Sequence, residues 1–370
     1  MIKVEHTKIM KRNSFYLFYF LYIVSNSFLQ PILPHYLNKL NFSQEHYGYS
    51  IAFFYFVSFL FSLLCPLFIK KIKLKKSFFI GLICYCGSSY LFYKTNGLFL
   101  FYLARLFQGI SQGILLVCFL TYFFTFASNE KQIYFYTFIQ IMASTAGYFL
   151  GTWIVHKMSF TLFFIQIGLS IFLIFYLLWL MDEPQVKEKQ KREVESKRKI
   201  TSFFLSLFCM TLAYFLVENW FSLYLFDEIN YSLQQSMNIR FQIFLISFVV
   251  YGLFYFIFKK VKDCFLYVLL GCSLLLFVTY WFIKGNQGWD VLFYYFGISN
   301  LFLPLQQTLL KTQINAHLGT YQGVRFLAMM CSSLFFNYLY QQNNQMILLI
   351  SSAGLFIAWI EMRLFLIKNR

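Results

Sequence analysis

Long apolar runs recur along the whole chain of 370 residues, and each run is long enough to cross a lipid bilayer as a helix. A spanning helix needs about 18–25 mainly apolar residues. Hydrophobic residues make up 59% of the chain and charged residues only 12%, whereas soluble domains carry about 25% charged residues. A soluble fold of this length has too little interior for so much apolar surface. The chain is therefore predicted to be an all-α polytopic membrane protein.

Twelve such runs can be parsed from the sequence. We expect the first to be retained, because the N-terminal segment lacks the small-residue cleavage site of a removable signal peptide. The predicted spans lie near 14–38, 47–69, 77–94, 98–126, 133–155, 160–181, 200–226, 238–258, 264–283, 291–313, 320–340 and 346–367.

Lysine and arginine are distributed unevenly between the two sides of these spans. With the N-terminus inside, 25 of the 31 Lys and Arg residues fall in inside segments and four in outside loops. Cytoplasmic loops carry such an excess, so we predict a multi-pass protein of the cytoplasmic membrane with both termini in the cytoplasm. The net charge of +17 then reflects topology and contacts with anionic lipid headgroups, and no nucleic-acid partner is expected.

The sequence carries no convincing metal, cofactor or catalytic pattern. Most of the eight cysteines lie within spans, and Cys84 and Cys86, two residues apart, cannot share a helix face. His35 and His46 flank the first outside loop and are interpreted as interfacial side chains. The chain has no P-loop, its outside loops are short, and its longest inside loop has no catalytic constellation. We therefore expect neither a metal nor a cofactor, and no enzyme activity.

The longest polar segment, "DEPQVKEKQKREVESKRK" at 182–199, is predicted to be a cytoplasmic linker between two six-span halves, 1–181 and 200–370. Three strings recur in order at offsets of 189, 189 and 188 residues: "YLNKLNFSQ" with "YLFDEINYSLQ", "KKIK" with "KKVK", and "GIS" with "GIS". Because each half has six spans, both copies have the same orientation. The halves are predicted to be parallel pseudo-repeats.

This organisation resembles the major facilitator superfamily over essentially the whole chain. "ARLFQGISQG" (104–113) is similar to the arginine and Gln-Gly motif of that family's fourth span, and "QPILPHYLNKLNFSQEHYG" (30–48) resembles the end of the first span in its drug-exporter-like branch. The resemblance implies the family's fold, secondary transport, and a central cavity lined by spans one, four, seven and ten.

Two segments differ from the family pattern. The loop between spans two and three, within "CPLFIKKIKLKKSFFIG" (65–81), keeps the cations but has no acidic residue, and no glycine before Gly81. The antiporter motif of the fifth span is reduced to "ASTAGYFLG" (143–151), which has two glycines but no proline.

Arg105 is the most informative residue of the fourth span. It lies eight residues beyond Gly97, roughly 12 Å along a helix at 1.5 Å per residue, and an ionisable group inside a span costs about 2.5–3.5 kcal/mol on insertion scales. Gln108 and Gln112 follow at i+3 and i+7, on the same face. We expect this face to line a substrate or gating path; a structural interhelical bond and snorkelling are the alternatives.

Glu218 has an equivalent place in the seventh span, at roughly 13 Å from its outer end. Tyr214, Glu218 and Ser222 lie on one helix face. Arg105 and Glu218 are therefore hypothesised to pair across the cavity, or to act there as substrate anchor and proton carrier. A fixed ion pair is the competing interpretation.

Spans one and ten contribute similar polar faces and three prolines. Proline removes a helical hydrogen bond and permits bending, so a gating role and a passive kink are both open. The cavity residues expected on these spans are Tyr22, Asn26 and Gln30, with Asn300 and Gln307; the hinge candidates are Pro31, Pro34 and Pro304.

The sequence thus predicts a monomeric secondary active transporter for a small amphipathic solute, neutral or anionic, that works by alternating access. Proton-coupled efflux is the direction that the resemblance favours. Import of a nutrient, flipping of a lipid-linked molecule, and a non-transporting sensor or partner subunit are the alternatives. The expected partners are the small-molecule substrate, membrane lipids and protons.

Overall fold

The computed structural model describes residues 2–42, 45–126, 130–158, 161–180, 197–227, 233–257, 261–283, 291–311, 318–342 and 345–367. Fourteen α-helices and no strands occupy these ranges. The helices are α1 (Ile2–Asn26), α2 (Leu29–Lys39), α3 (Glu45–Ile72), α4 (Leu74–Lys94), α5 (Leu98–Phe126), α6 (Glu130–Met158), α7 (Leu162–Leu180), α8 (Lys197–Asp227), α9 (Leu233–Ile257), α10 (Val261–Ile283), α11 (Val291–Ser299), α12 (Phe302–Leu309), α13 (Leu318–Gln342) and α14 (Met346–Ile367).

Two of the predicted spans are each broken into a pair of helices. The first span consists of α1 and α2 with a break at Ser27 and Phe28, and the tenth consists of α11 and α12 with a break at Asn300 and Leu301. Each break lies three or four residues before a proline, Pro31 or Pro304. Because proline has no N–H, the carbonyl four residues earlier loses its helical donor. The breaks therefore have a local cause in the sequence.

Joined across these breaks, the helices of the described ranges form twelve segments. Six helices are long and apolar enough to cross a membrane. Large apolar side chains remain exposed on them and their neighbours, with Phe99 at 78% and Trp179 at 72% exposure. An exposed apolar surface of this extent suits lipid rather than water, so the chain is a multi-pass membrane protein.

The described chain divides into two compact units. The first comprises Met1–Glu188 with Leu318–Gly323, and the second comprises Lys189–His317 with Val324–Arg370. In the first unit α5 packs against α3 and α4, while α1 packs against α6 and α7. In the second unit α14 packs against α8 and α10, and α11 packs against α9 and α10.

Several glycines allow close contacts between helices of the first unit. A Cβ atom placed on Gly113 of α5 would lie 2.6 Å from the carbonyl oxygen of Ser58, and one on Gly319 would lie 2.7 Å from that of Ser62. A Cβ on Gly151 of α6 would lie 2.8 Å from the carbonyl oxygen of Phe28, at the break in the first span. Such close backbone approach is the usual role of small residues spaced by four in membrane helices.

The turn between α3 and α4 places Lys73 at φ 70° and ψ 159°. This backbone region is essentially restricted to glycine, and another residue there is strained by about 1–3 kcal/mol. The loop that lacks the family's glycine thus forces a lysine into a conformation that glycine adopts freely.

Candidate functional site

The guanidinium of Arg105 lies inside the first unit, and the residue is only 4% exposed. Its Nη1 donates to Oε1 of Gln108 at 2.8 Å. Nε and Nη2 have no hydrogen-bond partner among the described residues. A buried guanidinium with unused donors can bind an anion, because it matches a carboxylate or sulfonate in charge and geometry.

Aromatic rings enclose this cation. The Cζ of Arg105 lies 5.7 Å from the ring centroid of each of three phenylalanines contributed by α3, α4 and α5, namely Phe54, Phe92 and Phe101. Cation–π attraction at such distances partly replaces the lost hydration of the guanidinium. The surroundings combine one fixed positive charge with apolar walls, which suits an amphipathic anion.

Tyrosines form a second layer, which the sequence reasoning missed. The charge of Arg105 interacts electrostatically with the phenols of Tyr36, Tyr47, Tyr55 and Tyr102. The hydroxyl of Tyr102, three residues before Arg105 on α5, lies 3.2 Å from Nδ1 of His46 at the start of α3. The i−3 spacing of Tyr102 was a usable signal, whereas the other contacts depend on how the helices face one another.

Gln112 of α5 contacts Tyr22 of α1. The Tyr22 hydroxyl donates to Oε1 of Gln112 at 2.9 Å, and the Tyr22 side chain is fully buried between Tyr85 and Phe119. The predicted polar face of the fourth span therefore has two parts: Arg105 with Gln108, and Gln112 bound to α1.

A polar cluster beside the break in the first span was not predicted. Nε2 of Gln166 in α7 donates to the backbone carbonyl of Ser25 at 2.8 Å, and Ser25 Oγ lies 2.8 Å from the Tyr85 hydroxyl. Nearby in the sequence, Asn26 keeps a buried side-chain oxygen, Oδ1, without a partner in the described chain. The side chains of Gln30, Pro31 and Pro34 lie outside the described residues.

In the second unit, Glu218 is half-buried on α8 and interacts electrostatically with Tyr295 of α11. The Tyr295 hydroxyl is buried and has no hydrogen-bond partner among the described residues. Tyr214, one turn before Glu218, packs edge-on against Phe296, with ring centroids 6.2 Å apart. The Ser222 side chain lies outside the described residues. This unit thus holds a carboxylate among aromatic groups of α11.

Span ten presents two amides of different character. Nδ2 of Asn300, at the helix break, donates to Ser247 Oγ of α9 at 2.7 Å, so this residue joins two helices. Gln307, beyond Pro304, is 1% exposed, and its Oε1 has no partner in the described ranges. An unsatisfied buried amide oxygen is an acceptor that a ligand or a water molecule can use.

A multi-pass helical protein with two broken spans and buried polar side chains inside its helix packing has features of a membrane transporter. A profile of the Major Facilitator Superfamily matches residues 15–360. The chain belongs to the major facilitator superfamily. The drug-exporter branch is a finer assignment that stays a prediction.

Solved structures agree on this fold. The human organic anion transporter MFSD10 (TETRAN) aligns with a TM-score of 0.73 and 14% identity over 95% of this chain and 99% of that chain. A bacterial homologue of the iron transporter ferroportin, in an outward-facing state, aligns with a TM-score of 0.78 and 12% identity over 97% of this chain and 100% of that chain.

The proton:xylose symporter XylE aligns with a TM-score of 0.73 and 13% identity over 95% of this chain and 94% of that chain. At these identities the similarities show the fold alone. No curated protein sequence matches the chain.

Proposed function

We propose that the chain is a secondary active transporter that moves a small amphipathic organic anion across the cytoplasmic membrane by alternating access. One observation carries the proposal: Arg105 is buried among three aromatic rings, and two of its nitrogens have no hydrogen-bond partner among the described residues. A buried charge is expensive unless it is paired, and an anion with an aromatic body would pair with the charge and contact the rings at once.

Proton coupling is the second part of the proposal. Glu218 is the candidate proton carrier because it is half-buried beside the ring of Tyr295, and a carboxylate in such surroundings can exchange a proton during the transport cycle. Whether it meets Arg105 stays a prediction. Transport measured over a pH series with Glu218→Gln tests the coupling: an unchanged dependence on the proton gradient would remove Glu218 from this role.

The direction of transport depends on the sequence alone. The resemblance of the first-span end to exporters predicts efflux in exchange for protons, whereas the same fold also serves import or the flipping of a lipid-linked anion. Proteoliposomes with a pH gradient imposed in either direction separate these cases. Saturable binding without any flux would instead indicate a sensor or partner subunit.

The substrate class is tested on the purified protein with permanent anions. A panel of aryl sulfonates and carboxylates, each matched with its neutral amide, is added and the unfolding midpoint is measured, since a ligand that binds the folded state stabilises it. We expect stabilisation by anions only, lost in Arg105→Gln and partly kept in Arg105→Lys. Equal stabilisation by the neutral amides, or none by any anion, would overturn the proposal.

A further inference from the structure

His46, at the start of α3 and beside Tyr102 of α5, is a titratable residue that the proposed mechanism does not use. His46 is half-buried in the first turn of α3, and its Nδ1 lies 3.2 Å from the hydroxyl of Tyr102. Its ring also packs near Phe42 and Tyr102, at centroid distances of 6.0 and 6.2 Å. The imidazole is thus held in place beside α5 rather than extended into solvent.

Tyr102 connects this imidazole to the buried cation. It precedes Arg105 by three residues, so both side chains lie on the same face of α5, and the two groups interact electrostatically. His46 therefore contacts Tyr102, Tyr102 lies one helical turn before Arg105, and all three residues belong to the first unit.

We propose that His46 is a proton site that is linked, through Tyr102, to anion binding at Arg105. The inference rests on the proposed function, in which Arg105 is the anion anchor. Nδ1 of His46 lies 3.2 Å from the Tyr102 hydroxyl, so a proton gained or lost by the ring changes whether Nδ1 accepts or donates in this hydrogen bond.

The chemistry fixes the sign of the linkage. The neutral ring has one N–H, and Nδ1 either accepts the Tyr102 hydroxyl hydrogen or donates to its oxygen, according to the tautomer. When protonated, the ring carries both N–H groups, so Nδ1 donates to Tyr102 and the hydroxyl hydrogen is released for another acceptor. The ring also becomes a second positive charge on the path to Arg105. Both changes favour a bound anion.

Other charged and titratable groups surround this path on several elements. Tyr47 and Tyr49 of α3 interact electrostatically with Arg105 and Tyr102 respectively, and Lys39 ends α2, which also packs against α3. From α4, Lys94 lies over the ring of Tyr93, which packs against Phe164 of α7. Glu45 precedes His46 in the sequence, and its side chain lies outside the described residues.

The linkage predicts that the anion and a proton bind together from the side of His46. A transporter that carries both through its cycle moves them in the same direction, so an acidic exterior drives uptake of the anion, in contrast to the efflux in exchange for protons that the resemblance predicts. Exchange of anion for proton requires the opposite sign. The site therefore bears on direction as well as on affinity.

The test uses the full-length protein in lipid nanodiscs and radiolabelled 2-naphthalenesulfonate, which stays anionic between pH 5.5 and 8. We expect the affinity for this anion to rise at least about fivefold as the pH falls from 8 to 5.5, which is the lower end of ordinary coupling between two sites. His46→Gln keeps a neutral hydrogen-bonding side chain beside Tyr102 and should abolish the rise. His35→Gln, the matched change at the other histidine near the same loop, should leave it intact.

Further variants separate failure of this inference from failure of the proposed function. Tyr102→Phe should lose most of the rise relative to its own affinity at pH 8, while Arg105→Gln should lose binding at every pH. If Arg105→Gln abolishes binding but His46→Gln keeps the pH dependence of the unmodified protein, only the proton site is wrong. If Arg105→Gln binds as the unmodified protein does, the anion anchor itself is wrong. Each variant is first checked for a single gel-filtration peak and for an unfolding midpoint no lower than that of the unmodified protein.

Discussion

Gln108 accepts a hydrogen bond from Nη1 of Arg105, one helical turn earlier on α5, at 2.8 Å. This bond orients the guanidinium and uses one of its five N–H donors. Nε and Nη2 remain without partners in the described chain. Gln108 therefore positions the guanidinium and leaves two of its nitrogens able to donate to an anion.

Replacing Gln108 by glutamate should weaken anion binding at Arg105. Gln108→Glu places a carboxylate where the amide oxygen accepts from Arg105, and the resulting charge-assisted bond competes with the ligand. We expect 2-naphthalenesulfonate to bind at least about tenfold more weakly, since hydrogen bonds to charged groups contribute about 1.5–3 kcal/mol. The measurement is equilibrium binding in nanodiscs.

Gln112→Glu is the matched control, because it makes the same change one turn further along α5, at a residue bonded to Tyr22 instead of Arg105. Equal weakening by both variants would mean that any added negative charge on this face is sufficient, and that the bond to Arg105 is not the cause.

Lys73 should be replaceable by glycine with a gain in stability. At φ 70° and ψ 159° the lysine is strained by about 1–3 kcal/mol, whereas glycine adopts this conformation freely but loses more chain entropy on folding. We expect Lys73→Gly to stabilise the protein by about 1 kcal/mol, measured by denaturant unfolding in detergent.

Asn41→Gly serves as the control for this change. Asn41 also has a positive φ, 56°, but asparagine tolerates the left-handed region well. Its replacement should therefore bring little gain, and an equal gain at both positions would contradict the strain argument.

The contact between α6 and the break in the first span should not tolerate an added methyl group. A Cβ on Gly151 would lie 2.8 Å from the carbonyl oxygen of Phe28, and backbone atoms cannot move aside as a flexible side chain does. Gly151→Ala should lower the free energy of unfolding by about 1–3 kcal/mol, the usual range for overpacking. In Gly168→Ala, where a Cβ meets nothing within 4 Å, no loss is expected; a comparable loss there would point to a general glycine effect.

Cys65 of α3 and Cys118 of α5 should form a disulfide on oxidation. Their sulfur atoms lie 3.8 Å apart and both residues are buried, so an approach to the bonding distance of about 2.05 Å needs only a small helix movement. With a protease site inserted at 95–97, diamide should keep the two fragments together on a non-reducing gel. Cys65→Ser should separate them, and retention in that variant would contradict the pairing.

Restoring a backbone donor at the break in span ten should slow the transport cycle. Pro304→Ala supplies an N–H for the carbonyl of Asn300, which favours a continuous helix. If the straight form gains about 1.4 kcal/mol, exchange of the anion across proteoliposomes should slow about tenfold. Pro184→Ala in the linker is the control, and equal rates in all three proteins would assign the break a passive role.

The sequence was informative wherever the relevant physics is local. The lengths of the apolar runs predicted the membrane helices. Pro31 and Pro304 follow the two helix breaks by three or four residues. The i, i+3 spacing of Arg105 and Gln108 correctly indicated that their side chains share a face, and they are directly bonded. These features depend on helix geometry alone, which periodicity reports.

Contacts between helices were beyond the reach of that reasoning. Gln166 bonds to Ser25 across 141 positions of the sequence, and Phe54, Phe92 and Phe101 enclose Arg105 from three helices. In a chain with 52 phenylalanines, periodicity does not reveal which rings face a given cation. The rotation of each helix about its axis decides this, and it is set by close contacts such as that of Gly113 on Ser58.

The two helix breaks have a consequence for hydration. Ser27 and Asn300 lie near the middle of spans 14–38 and 291–313, and because Pro31 and Pro304 lack N–H groups, the carbonyls of both residues lose their helical donors. A backbone carbonyl in this state attracts water. Infrared spectra of protein carrying a 13C=18O label at either carbonyl should therefore show a band shifted by hydrogen bonding to water. Such a shift would show that water reaches the middle of the membrane through the interior of the protein.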